Sequence, residues 1–222
     1  MLLMAARPAP DPGGPPAPGD AIGPTTGPDR EVDDLTLRLA IRGDAVALGR
    51  VVAHYHPTVH ALVWRMCAGT DPASVDDLVQ DALLRTCRGL ARFDPAGPAR
   101  PSTWILTITT RVVLNHRRRT PSLPLDAAPE PRAPSHHGAD HGVDRATLAR
   151  AIGAAVATLG DDQRAVLVLR EFHELDYAAI ADALDLDVGT VKSRLARARA
   201  QVRAELTRRL PDHLAAQFGG TP

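Results

Sequence analysis

Aromatic residues are scarce in this 222-residue chain, with two Trp, two Tyr and three Phe, so any core must rest on Leu, Val, Ile and Ala. Cysteine is scarcer still. Cys67 and Cys87 show no metal-ligand spacing and read as buried free thiols in a reducing compartment, a disulfide or redox switch being the alternative. No apolar run approaches the ~18 residues that a membrane helix needs. The opening MLLMAARPAP is too short and too poor in charge for a secretory signal, and Met4 is a second candidate start. Strand patterning is nearly absent. No pocket-forming glycine loop and no nucleophile with a neighbouring base is found, so no catalytic residue, metal or cofactor is expected.

Net charge is absent too, 26 Lys plus Arg balancing 26 Asp plus Glu, but the balance hides segregation. Residues 95–120 hold five Arg and no acid, and residues 188–210 hold six Arg, Lys192 and the single acid Glu205. Residues 171–187 hold six acids and neither Lys nor Arg. Blocks of opposite sign imply one anionic partner and another with a basic surface. Lys192 is the only lysine, so Arg elsewhere carries no specificity by itself.

Composition divides the chain. Residues 1–32 are a Pro/Gly-rich tail without apolar periodicity, expected to be disordered. Residues 33–119 read as one helical domain, with a break at Gly43-Asp44 and an interruption or kink at Pro57. Within it, a helix capped by Ser74 runs to about Leu90. The proline-rich loop FDPAGPARP follows, and then a helix from Trp104 to Arg119 capped by Ser102 or Thr103. Residues 120–145 form an acidic, Pro-rich linker carrying His136, His137 and His141, where only adventitious metal affinity is foreseen. Residues 146–210 are a second helical domain, and 211–222 a C-terminal tail. The fold class is all-α: two small helical domains joined by a flexible linker.

The segment from Tyr177 to Leu206 is the most informative. Two helices flank a short polar break. In the second, Val191, Leu195, Ala198 and Val202 make one apolar stripe. The opposite side carries Gly189, Thr190, Ser193, Ala196 and Arg197, flanked by Lys192, Arg199 and Arg203. Asp187 is placed to cap this helix. Small and hydroxyl residues at a helix start, with Arg farther along, suit close approach to base edges. A helical hairpin with a solvated basic face is the bland alternative.

Two more helices carry chemistry. On Trp104–Arg119, Thr107, Arg111, Leu114 and Arg118 share a face and the end runs NHRRR. Phosphate tracking accounts for all these arginines, whereas complementing the macrodipole accounts for one or two. On the other helix, VDDLVQDALLRT places Asp77 and Asp81 four residues apart with Asp76 beside them. A docking surface for a basic partner suits these acids better than metal or acid–base catalysis.

Three pieces, DDLVQD (76–81), the Trp104/Ile108 pattern running into basic residues, and GTVKSRLARAR (189–199), give a chain that resembles the extracytoplasmic-function sigma factors of bacterial RNA polymerase. The likeness spans about residues 33–119 and 146–208. It implies a region 2-like domain, in which Asp76, Asp77, Gln80 and Asp81 dock on core polymerase. The loop from Phe93 to Thr103, with Thr107, Arg111, Asn115, Arg117, Arg118 and Arg119, would then read and hold open the −10 element. It also implies a region 4-like domain, in which Thr190, Lys192, Ser193, Arg194 and Arg197 read the −35 element. An anti-sigma protein is an implied partner, and the cytoplasm, near the nucleoid or held at the membrane by that partner, the implied location. The 26-residue tether reaches up to ~85–90 Å when extended, enough for elements two helical turns apart. Four positions depart from the family pattern: Arg111 stands for Asn, Asn115 for Asp, Ala179 for Glu and Asp185 for the turn Gly. The alternative function is a stand-alone helix-turn-helix transcription regulator, which leaves the acidic and arginine-rich helices without work.

Overall fold

The computed structural model describes residues 31–68, 72–119 and 141–210. Nearly all of the expected N-terminal tail, most of the expected linker and the expected C-terminal tail therefore lie outside the described residues. Within those, eight helices and no strand occur: α1 (Asp34–Ile41), α2 (Ala45–Met66), α3 (Pro72–Leu90), α4 (Pro101–Arg119), α5 (His141–Ala157), α6 (Asp161–Glu171), α7 (Tyr177–Leu184) and α8 (Val188–Arg209). α5 starts inside the stretch expected to be linker.

Aspartate punctuates the chain. Asp33, Asp44, Asp176 and Asp187 sit just before α1, α2, α7 and α8, and each side chain accepts the backbone N–H three residues on, at 2.7–2.9 Å. These bonds satisfy donors that a helix start leaves without an intrahelical partner. Between α1 and α2, Gly43 takes φ 90°, and the amides of Gly43 and Asp44 return to the carbonyls of Ala40 and Leu39 at 3.0 Å each. That is a Schellman ending, which favours a residue without a Cβ at the left-handed position.

Pro57 does not break its helix: α2 runs through it as one element of 22 residues. Both Pro57 and Ala53, whose carbonyl would have paired with the missing N–H, are exposed. Water can serve that carbonyl, so the helix survives the lost bond. Ser74 and Ser102 also lie inside the first turns of α3 and α4 rather than in front of them.

α1–α4 form one lobe and α5–α8 another, and the two are packed together. α2 meets α6, and α4 meets both α6 and α7. One cluster of buried apolar side chains runs through both lobes, from Leu37 to Ala198. A smaller cluster of Ala151, Ala155, Leu206 and Leu210 ties α5 to α8. The sequence implies two lobes but does not show this contact.

Arg164 on α6 is central to the junction. Its buried guanidinium donates to Val156, Ala157 and Leu159 carbonyls at the end of α5 (3.2, 2.8 and 2.8 Å), and to Met66 at the end of α2 (2.9 Å). One positive group thus serves the partially negative ends of two helices, one from each lobe. Nearby, Arg65 of α2 lies 4.5 Å over the Phe172 ring. His173 is buried beside it; burial, and then the Arg65 charge, push its imidazole pKa down to about 3.

Candidate nucleic-acid interface

The basic face of α8 is built by its start. Asp187 accepts the Thr190 amide at 2.7 Å and the Thr190 hydroxyl at 2.5 Å, fixing the first turn. These two bonds, the hydroxyl's first, hold the Asp187 carboxyl below its ordinary pKa. The turn before it passes through Asp185 at φ 56°, ψ 54°, and the Leu186 amide closes back on the Ala181 carbonyl at 2.9 Å. A left-handed aspartate costs about 1 kcal/mol against glycine, a cost its short polar side chain moderates.

Val191, Leu195 and Ala198 are buried, which turns Ser193, Ala196, Arg197 and Ala200 outward. Thr190 is half-buried at the edge, and the Ser193 hydroxyl donates to the Thr190 carbonyl at 3.0 Å. Arg197 lies along the face, its Nη2 3.5 Å from the Ser193 hydroxyl. Thr190, Ser193 and Arg197 thus come together. Lys192 stands on one flank, its ammonium 5.8 Å from the Tyr177 ring centre on α7. Arg194 is on the other flank, turned to α6 in a 3.1 Å ion pair with Asp162. Arg199 is drawn off by Glu171 at 2.6 Å.

α4 presents a second basic surface, only part of which faces solvent. Thr107 is half-buried and donates to the Thr103 carbonyl at 2.9 Å, while Asn115, Arg118 and Arg119 are exposed. Leu114, on the same stripe, is buried. Arg111 reaches the second lobe, donating to the carbonyls of Ala183 and Asp182 at 3.1 and 3.0 Å. Arg117 is turned into the lobe junction and pairs with Asp161 at 2.5 Å. In front of α4, Phe93 is buried against Trp104, ring centres 5.1 Å apart, and Asp94 to Ala96 and Pro98 to Arg100 are exposed.

On α3, Asp76, Asp77 and Gln80 are exposed and Asp81 is half-buried, pairing with Arg85 at 2.9 Å. Asp76, Asp77 and Gln80 border a shallow groove of about 560 Å³ against α2 that also touches Val52, His56 and Leu84. Leu84 is 47% exposed, and Asp77, Asp81 and Leu84 share a helical face. Beside the groove, His56, His60 and Trp64 stack along α2 with ring centres 6.2 and 6.4 Å apart. Sequence reasoning passed over Leu84 and Trp64. An apolar residue in register with Asp77 and Asp81 was the available signal. Both thiols are free, and burial pushes Cys67 up to about 11. Among the described residues no helix is long and apolar enough to cross a membrane.

The chain is similar to known proteins in sequence and in fold. Residues 51–121 match the model of sigma-70 region 2, and residues 149–202 that of sigma-70, region 4. The ECF RNA polymerase sigma factor SigC of Mycobacterium tuberculosis is 32% identical over 180 residues, covering 78% of this chain and 92% of SigC. The ECF RNA polymerase sigma-E factor of Escherichia coli K12 is 30% identical over 181 residues, covering 77% and 92%. In structure, the chain is similar to the sigma factor RpoE of Bartonella quintana, solved in complex with the anti-sigma factor NepR. The TM-score is 0.53 at 22% identity, over 71% of this chain and 95% of that one. CnrH, solved with the cytosolic domain of CnrY, gives a TM-score of 0.55 at 23% identity, over 78% and 96%. These two show a shared fold.

Proposed function

The chain belongs to the extracytoplasmic-function sigma factors of bacterial RNA polymerase, and on that footing we propose how its surfaces divide the work of promoter-specific initiation. It binds core polymerase and directs it to promoters through two DNA elements. The observation that carries this is the 32% identity to SigC across 92% of that protein, with both region matches in order.

Asp76, Asp77, Gln80 and Asp81 form the docking face for a basic surface of core polymerase, with Leu84 as an apolar anchor beside them. The loop before α4, together with Thr107, Arg111, Asn115, Arg118 and Arg119, takes the −10 element. A base must leave the stack there, at a cost of a few kcal/mol. On α8, Ser193 and Arg197 face the −35 major groove with Thr190, while Lys192 and Arg194 lie where backbone phosphates pass. Arg117 reaches the −10 DNA only once its pair with Asp161 opens. The protein contributes positioning and charge and no catalytic group of its own. It works in the cytoplasm, and a sigma-binding inhibitor of the anti-sigma kind is a partner.

A run-off assay tests the reading. Purified protein plus core enzyme starts transcription at a cognate promoter, and core alone does not. Tight binding of that duplex by the protein alone, with no effect on core enzyme, would instead identify a stand-alone regulator.

A further inference from the structure

α4 begins at Pro101, and proline at the first helical position has no N–H to satisfy. The next amide, that of Ser102, does need an acceptor. Arg100 precedes the helix, its carbonyl taking the Trp104 amide at 3.0 Å, but an arginine side chain has no acceptor atom. The acceptor comes from Glu31, 71 residues upstream.

One oxygen of the Glu31 carboxylate accepts the Ser102 amide at 3.2 Å and the Tyr55 hydroxyl at 2.6 Å, and the other accepts the Ser102 hydroxyl. Tyr55 is 2% exposed and Ser102 6%. The Tyr55 oxygen in turn accepts the Val32 amide at 3.3 Å. Burial, and then the Glu31 hydrogen bond, hold the Tyr55 hydroxyl well above the ordinary phenol range. Glu31 is thus clamped to α2 while it caps α4, and a negative charge at a helix start is favourable in itself.

The loop in front of α4 is pinned at two places. Phe93 and Trp104 pack together near its ends, and Gly89 leaves room for the indole, where a Cβ would come within 3.1 Å of it. The second pin is Glu31 on Ser102, at the point where the loop becomes helix. Between them lie Asp94 to Arg100, all exposed except the half-buried Gly97.

We infer that Glu31 is a positioning residue for −10 recognition: by capping α4 from across the lobe, it fixes where the 94–100 loop meets melted DNA. The inference rests on the sigma-factor reading above.

The test uses full-length holoenzyme on a promoter that the wild-type protein transcribes, and on versions with one −10 or one −35 base changed. Glu31→Gln keeps the size of the side chain and loses its charge. Discrimination at the −10 position is expected to fall at least threefold, with −35 discrimination and core affinity within twofold of wild type. These ratios are independent of how much protein is active, so a role confined to stability leaves them unmoved. Ser102→Ala, which removes a Glu31 partner on α4, is expected to give the same pattern and decides the matter if Glu31→Gln fails to fold. Unchanged −10 discrimination in a folded variant overturns the inference while the sigma reading stands. A wild-type protein that never supports promoter-dependent transcripts overturns both.

Discussion

The Nε of Arg111 on α4 donates to the Ala183 carbonyl on α7 at 3.1 Å, crossing from one lobe to the other. Its Nη2 takes the neighbouring Asp182 carbonyl at 3.0 Å. The final carbonyls of a helix lack intrahelical partners and carry partial negative charge, so a guanidinium suits them. The same side chain lies on the α4 face assigned to the −10 element. These carbonyls use two of the five guanidinium donors, so both on Nη1 and the second on Nη2 are left for a phosphate.

Arg111→Ala removes both bonds from a solvent-exposed site, a loss of about 1 kcal/mol from the packed arrangement. A change of that size shifts a two-state balance roughly fivefold. The radius of gyration from X-ray scattering is expected to rise as separated lobes gain population. A scattering curve identical to wild type would show that these bonds do not hold the lobes together.

Charge reversal at Asp77 and Asp81 tests docking on core polymerase. Asp77 is exposed, and the Asp81–Arg85 pair is a surface pair worth only ~0.3–0.5 kcal/mol. The double Arg variant is therefore expected to keep its helical circular dichroism and melting behaviour. Its affinity for core enzyme, measured by competition, is expected to drop at least tenfold. Unaltered assembly removes Asp77 and Asp81 from the docking face.

Arg197→Ala probes the −35 face. If the guanidinium hydrogen-bonds a base edge, its removal costs ~1–3 kcal/mol at one promoter position and relaxes preference there. Transcription from a −35 substitution series separates this from phosphate binding, whose removal weakens every sequence alike.

His173 makes stability depend on pH. The unfolded chain takes up a proton below ~6.5, whereas the buried imidazole beside Arg65 resists it down to about pH 3. Stability is intact above that unfolded value and falls as pH drops toward 3, by about 2 kcal/mol at pH 5. Urea midpoints at pH 7.5 and pH 5 measure the slope, and His173→Gln, which cannot titrate, is expected to flatten it.

Local signals were legible in the sequence. The Val191–Leu195–Ala198 stripe and the Asp187 cap both depend on residues within a turn or two of one another, and the structure shows each. Legibility failed where the deciding partner is distant. Thr107, Arg111, Leu114 and Arg118 make the same pattern whether water, DNA or another lobe covers them, so the packing of α7 on this face left no mark. The Glu31 cap escaped notice because nothing near Ser102 points 71 residues upstream. Pro57 misled because its cost depends on which way the orphaned carbonyl faces, a property of the folded surface.

Lys192, beside Tyr177 at the junction of α7 and α8, is the single lysine of the chain. Every reagent selective for side-chain amines therefore converges on one point of the helix-turn-helix. Acylation there deletes one positive charge from the second lobe and none from the first, and reductive methylation keeps the charge while adding bulk. Protection of that amine by duplex reports occupancy of α8 alone. A lysine-directed crosslink is correspondingly blind to α4, which holds no lysine.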